Sequence, residues 1–152
     1  MSLQLKVPPL LVALMSGGLM AAIASLTPGM TATAPYLRIA AGALWLAGTA
    51  LALAGVVAFR RARTTVDPTR PDHASAVVSG GIYALTRNPM YLGFALWLLA
   101  WAAWLANLPA CLVLPAFVAY MNRFQIEPEE RLLRGKFGAP YEAYLLRVRR
   151  WI

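Results

Sequence analysis

The sequence predicts an all-α, polytopic membrane protein with about four transmembrane helices, and three observations carry that expectation. Apolar residues make up 60% of the 152 residues and charged residues 13%, against roughly 45–50% and about 25% in soluble domains. No Asp, Glu, Lys or Arg occurs in three long stretches, 7–37, 39–59 and 88–122. Turn-forming residues divide these stretches into lengths near the ~20 residues that cross a bilayer.

The first span is expected over 7–27, ended by Thr27-Pro28-Gly29, and the second over 36–59. Both read as scaffold, with Gly42, Gly48 and Gly55 small enough to let helices approach closely. A signal peptide is the alternative for the first run, with Lys6 as its basic end and Ala22-Ile23-Ala24 as its cleavage site. The run is long for that, and further spans follow it. Segment 60–88 contains Pro68, Pro71, Gly80 and Gly81 and reads as an irregular loop. Its Val77-Val78 and Ile82-Tyr83-Ala84-Leu85 are apolar enough to rest at a membrane interface. Asn88 precedes a proline and should be extended. Pro89 suits the first turn of span three, which makes Asn88 its N-cap.

Asn107-Leu108-Pro109 interrupts the third stretch, which gives a tight hairpin of spans three (90–107) and four (110–124). Pro128 then opens a new helix, with Glu127 near its cap and Glu129 and Glu130 in the first turn, where carboxylates favour the helix dipole. That helix should end near Lys136, at Phe137-Gly138, before Pro140. A last helix, about 140–150, places Tyr141, Tyr144, Leu145 and Val148 on one side and arginines on the other, as an amphipathic cytoplasmic tail does. The chain is expected to form one domain, 1–152, with scaffold spans in 1–59 and a cofactor-binding catalytic core in 77–150.

The net charge of +8 has a topological explanation. Arg60, Arg61, Arg63, Arg70 and Arg87 lie between spans two and three, and Arg123, Arg131, Arg134, Lys136, Arg147, Arg149 and Arg150 surround or follow the end of span four. The opposite loops carry none, with only Arg38 nearby. Both termini and the 60–88 loop should therefore face the cytoplasm, in a bacterial inner (plasma) membrane whose anionic lipids are the partners of these cations. Nothing in the chain requires a nucleic-acid role. Cys111 is the sole cysteine and His73 the sole histidine, so no internal disulfide and no His/Cys metal site is expected. No GxSxG stretch supports a Ser-His-Asp triad, and His73 reads as a solvated loop residue.

Half of the six acidic residues fall in Gln125–Arg131, just after an apolar run. In an antiparallel hairpin, Arg87, Asn88 and Tyr91 at the start of span three lie beside Arg123, Glu127, Glu129 and Glu130 at the end of span four. Ionisable groups converging at headgroup depth are candidates for a functional site. A helix N-terminus adds free N–H groups for an anion. Such a pocket suits a zwitterion bearing a carboxylate, an ammonium and hydroxyls. Spans open to lipid on their sides would admit a second, apolar substrate.

At these residues the chain resembles the integral-membrane methyltransferases related to isoprenylcysteine carboxyl methyltransferase and phospholipid methyltransferase. The family pattern, Gly-x-Tyr followed by Arg-His-Pro-x-Tyr-x-Gly, is matched by Gly81, Tyr83, Arg87, Asn88, Pro89, Tyr91 and Gly93. An acidic pair followed by Leu, Phe-Gly, Tyr, Tyr and Val is matched by Glu129, Glu130, Leu133, Phe137, Gly138, Tyr141, Tyr144 and Val148. The resemblance covers about 77–150. It implies S-adenosylmethionine as methyl donor, bound by Gly81, Tyr83, Arg87, Asn88, Pro89, Tyr91, Glu129, Glu130 and Tyr141. Arg87, Asn88, Arg123 and Glu127 are the candidate catalytic groups. The acceptor would be lipophilic: an isoprenylcysteine-like carboxylate, a lipid amine or a small thiol. Asn88 replaces the family's usual His and cannot titrate near neutrality as imidazole does. The alternatives are a sterol-reductase-like enzyme using NADPH, or a non-catalytic protein that keeps the fold. For the tail, a lid over the donor stands against a mere lipid anchor.

Overall fold

The structure, a computed structural model, describes residues 4–28, 35–63 and 74–152. The expectations for His73, Arg70, Pro68 and Pro71 lie outside the described residues. Those residues form helices and turns with no strand: α1 (Pro9–Leu26), α2 (Pro35–Arg61), a 3₁₀ turn (Gly81–Ala84), α3 (Pro89–Leu105), α4 (Leu108–Cys111), α5 (Val113–Tyr120), a π-helical segment (Met121–Ile126), α6 (Glu127–Phe137) and α7 (Ala139–Arg147). Two helices, α1 and α2, are long and apolar enough to cross a membrane, and α3 is a shorter apolar helix of 17 residues. Large apolar side chains on α1 and α2 face outward, among them Leu14, Met15, Leu46 and Leu53.

The most extensive helix contact is between α2 and α3, and glycines make it possible. A Cβ on Gly48 would sit 2.7 Å from the Gly93 carbonyl oxygen, and one on Gly93 would sit 2.6 Å from the Gly48 oxygen. A Cβ on Gly55 would meet Met90 Cγ at 2.7 Å. The two backbones therefore touch, as small residues at helix crossings allow. Trp97 Nε1 donates to Thr49 Oγ1 at 3.0 Å across the same seam. Gly42 does not share this role, because nothing lies within 4 Å of a Cβ built there. On its other side α3 meets α1, where Trp101 Nε1 donates to the Gly17 carbonyl. Met20, Leu98, Phe117, Met121 and Ile126 form the buried core between them.

Two expectations about helix ends need correction. Asn88 occupies the N-cap position of α3, and its carbonyl accepts from Leu92 N–H, but its side chain does not cap. With Pro89 next, one N–H of the first turn is missing, and the Asn88 amide instead donates to the Arg150 carbonyl at 2.9 Å. Nor does the chain break before Glu127-Pro128. The π-helical segment runs straight into α6, and the Glu127 N–H donates to Asn122 O inside the helix. The acidic residues therefore do not sit at a free helix start. Pro128 lacks the N–H that would reach Phe124 O, and the Leu5 N–H fills that gap at 3.0 Å.

The helix expected over 110–124 is divided into α4, α5 and the π-helical segment, and the last helix ends at Arg147, short of the expected 150. Ala106 takes a left-handed conformation, and Asn107 caps α4 by accepting from Ala110 N–H. A turn at Leu112 separates α4 from α5 because the ring of Pro115 conflicts with the Cys111 carbonyl four residues back. Gly138 has φ +58° and ends α6. Tyr141, Tyr144 and Val148 are buried, packed with Val77, Leu133, Phe137 and Leu145.

Candidate active site

The seam between α2 and α3 holds the start of α3 in place, and the π-helical segment brings the start of α6 against it. π-turns often mark functional sites. Between these helix starts, the 74–83 segment and α7 lies a cavity of about 70 Å³, well above the ~10–15 Å³ that one water needs. Tyr83, Arg87, Asn88 and Tyr91 line it from one side, and Glu129, Glu130 and Tyr141 from the other. Phe59, Met90, Leu133 and Phe137 supply apolar wall.

The two neighbouring carboxylates have different surroundings. Glu130 is buried and holds two arginines. Arg87 Nη1 lies 2.9 Å from its Oε1, while Arg150 donates through Nη2 to Oε2 at 2.7 Å and through Nε to Oε1 at 3.2 Å. The fork-shaped Arg150 pair is a strong, directional form of ion pair, and these bonds hold the Arg150 pKa above its usual range. Glu129 has no cationic partner among the described residues. Its Oε2 accepts from the Tyr91 hydroxyl at 3.0 Å, and Gln125 Nε2 donates in turn to the Tyr91 oxygen at 3.4 Å. Burial raises the Glu129 carboxyl to about 7, against the lowering effect of the Tyr91 bond and with a further push from Glu130.

Burial also lifts Tyr83 and Tyr141 above the ordinary phenol range, so both stay protonated. The Tyr144 hydroxyl donates to the Tyr83 carbonyl at 2.9 Å and ties α7 to the 3₁₀ turn. Arg87 carries one signal of a missing partner: its Nε is buried and bonded to nothing among the described residues. Burying a donor unpaired costs about 1–3 kcal/mol, so Nε marks a place for an acceptor.

Four expected site residues lie apart from the cavity lining. Arg123 is exposed and pairs with Glu127 one turn on, at 3.5 Å; Glu127 also faces Arg150 at 3.9 Å. Pro89 is buried as the first residue of α3, close to Gly55. Gly81, with φ +60°, lines a more open groove with Val57 and Arg61 beside the cavity. Arg150 and Gln125 were not singled out from the sequence. Arg150 is one of many arginines, and only the fold brings it to Glu130; Gln125 had a signal, since it adjoins the acidic cluster.

The phospholipid methyltransferase family matches residues 36–140. The chain belongs to that family. As a phospholipid methyltransferase family member it is a methyltransferase-type enzyme and a membrane protein. The matched range begins earlier than the 77–150 of the sequence resemblance and takes in α2, whose seam with α3 holds the site. A protein of unassigned function from Haemophilus influenzae is 48% identical over 63 residues, 41% of this chain and 100% of that protein. Protein-S-isoprenylcysteine O-methyltransferase of Schizosaccharomyces pombe is 35% identical over 72 residues, 47% of this chain and 30% of that protein. No solved structure matches.

Proposed function

We propose that this family member transfers a methyl group from S-adenosylmethionine to a lipophilic acceptor that reaches the site from the bilayer. The observation that carries the proposal is the pairing, in one cavity, of a buried arginine donor without an acceptor and a carboxylate without a cation among the described residues. A zwitterionic amino-acid moiety supplies both missing partners. Arg87 binds the donor's carboxylate. Three arginine N–H groups already occupy the Glu130 oxygens, so a hydroxyl suits Glu130 and the cationic end falls to Glu129.

Bound there, the donor supplies an electrophilic methyl on a sulfonium sulfur, which becomes a neutral thioether as the acceptor's lone pair takes the methyl. The protein's part is to position and to exclude water. Glu129 holds positive charge, and the protonated Tyr83 and Tyr141 offer rings and hydroxyls that add no competing anion. Phe59, Leu133 and Phe137 keep the surroundings apolar. Asn88, bonded to the Arg150 carbonyl, holds the mouth of α3 and contacts ligand without moving a proton.

In the membrane, α3 and the helical run from α4 through α5 act as the third and fourth spans beside α1 and α2, with both termini and the cavity on the cytoplasmic side of an inner membrane. The acceptor is an isoprenylcysteine-like carboxylate, a lipid amine or a small thiol. The segment from Glu127 to Arg150 works as a lid, as its bond from Tyr144 to Tyr83 suggests. Calorimetry in detergent with S-adenosylhomocysteine and with NADPH, followed by transfer of labelled methyl into membrane lipid extract, tests the proposal. Binding of the homocysteine compound and labelled lipid are expected. Binding of NADPH alone would replace the reading with the reductase one.

A further inference from the structure

Residues 148–152 follow α7 without helical structure and lie beyond the part of the chain that the family matches. They nevertheless touch the site at several points. The Arg149 carbonyl accepts from the Arg87 N–H at 3.0 Å. The Arg150 carbonyl accepts from Asn88 Nδ2 at 2.9 Å and from Thr86 Oγ1 at 3.4 Å. Trp151 Nε1 donates to Asn122 Oδ1 at 3.0 Å, which fastens the far side of the segment to the π-helical turn. Between these anchors the Arg150 side chain grips Glu130 with two N–H groups.

We infer that Arg150 is a positioning residue for the donor site, acting through Glu130 on Arg87. The inference rests on the donor reading given above. Arg87 reaches Glu130 through Nη1 at 2.9 Å, while its Nε, without a partner among the described residues, is left for a ligand. That division depends on where Glu130 sits, and Arg150 fixes both of its oxygens. Charge adds to geometry. With Arg150 present, Glu130 is shared between two arginines. Without it, Arg87 is the remaining cation bonded to Glu130 among the described residues. Glu130 then draws Arg87 into a tighter pair and away from a ligand carboxylate. Planar, two-point contact is what an arginine provides and a lysine cannot.

The test compares wild type, Arg150→Gln and Arg150→Lys in the full chain, reading S-adenosylhomocysteine affinity by calorimetry and folding by thermal midpoint. Arg150→Gln is expected to weaken binding by about tenfold or more, the scale of one charge-assisted bond. Arg150→Lys should recover part of that loss, because it restores the charge without the fork. The midpoint should fall less in Arg150→Gln than in Glu130→Gln, because Arg87 still pairs with Glu130, and should stay near wild type in Arg150→Lys. Unchanged affinity in Arg150→Gln overturns the inference. So does an equal loss in both variants with lowered midpoints, which makes the residue a structural prop. A wild-type protein that does not bind S-adenosylhomocysteine at all removes the donor reading itself, and this inference with it.

Discussion

The α2–α3 seam and the charged junction at the start of α6 hold the same helix mouth by opposite means. At the seam, Gly48, Gly93 and Gly55 bring backbone against backbone or side chain with no room for a Cβ. At the junction, Glu130 joins Arg87 on one side to Arg150 on the other, and Glu129 meets Tyr91. The seam sets where α3 lies. The junction sets what charge its mouth presents. Faults in the first are steric and should abolish the fold; faults in the second are electrostatic and should alter binding and its response to pH.

Gly93→Leu should break the comparison most severely. The new side chain would start 2.6 Å from a carbonyl oxygen that belongs to α2, and neither backbone can yield. Overpacking usually costs about 1–3 kcal/mol and more where backbone must move. Little monodisperse protein should survive size-exclusion chromatography in detergent. Normal yield and a wild-type midpoint would show the seam to be looser than its distances indicate.

Glu130→Gln comes next. It leaves Arg87 and Arg150 beside a neutral amide, and removing one partner of a buried ion pair costs about 3–5 kcal/mol. The midpoint should fall and donor affinity with it, whereas Glu130→Asp should retain part of both. A Gln variant as stable as wild type would mean that the two arginines find other partners.

Glu129 sharpens the comparison through pH. Its carboxyl is raised by burial to about 7, so the folded chain binds this proton more tightly than the unfolded chain does. Stability from this group is greatest below the ordinary carboxylate range and declines as pH rises toward 7. Binding of a cationic ligand moves the other way, because the carboxylate ionises over the same window. S-adenosylhomocysteine affinity should rise by about tenfold from pH 6 to pH 8, following that ionisation. Glu129→Gln should flatten the rise and increase stability near neutrality. The same slope in the variant would assign the pH response elsewhere.

Asn88→His should keep activity, since imidazole can also donate to the Arg150 carbonyl, while Asn88→Leu should lose most of it. An active Leu variant would reduce position 88 to helix-start filler. The smallest effect is expected from Arg123→Ala. Its pair with Glu127 is exposed and one turn apart, worth roughly 0.3–0.5 kcal/mol. Methyl transfer should stay within about twofold by the same scale, and a large loss would bring Arg123 into the chemistry.

How much of this was legible beforehand depends on the distance over which each residue acts. Helix ends at Leu26, Phe137 and Gly138 follow from local turn chemistry, and so does the turn at Asn107. The helix start at Glu127 was visible, but its continuity with the π-helical segment was not. That continuity depends on Leu5, far away in sequence, satisfying the carbonyl that Pro128 leaves free. Gly48 and Gly55 carried the right signal, and Gly42 carried the same signal without the contact.

By itself, the sequence determined the all-helical class, the apolar segments and the meeting of Arg87 and Tyr91 with Glu129 and Glu130, because hydrophobic periodicity, proline and glycine act within a few residues and two family motifs flank one apolar run. Only the tertiary structure decided how the carboxylates divide their work. Glu129 and Glu130 are adjacent and chemically alike, yet one is turned to a tyrosine and the other to two arginines. Which partner each receives is fixed by the packing of α3, α6 and residues 148–152, and a charge has no energy of its own until its neighbours and its exposure to water are set.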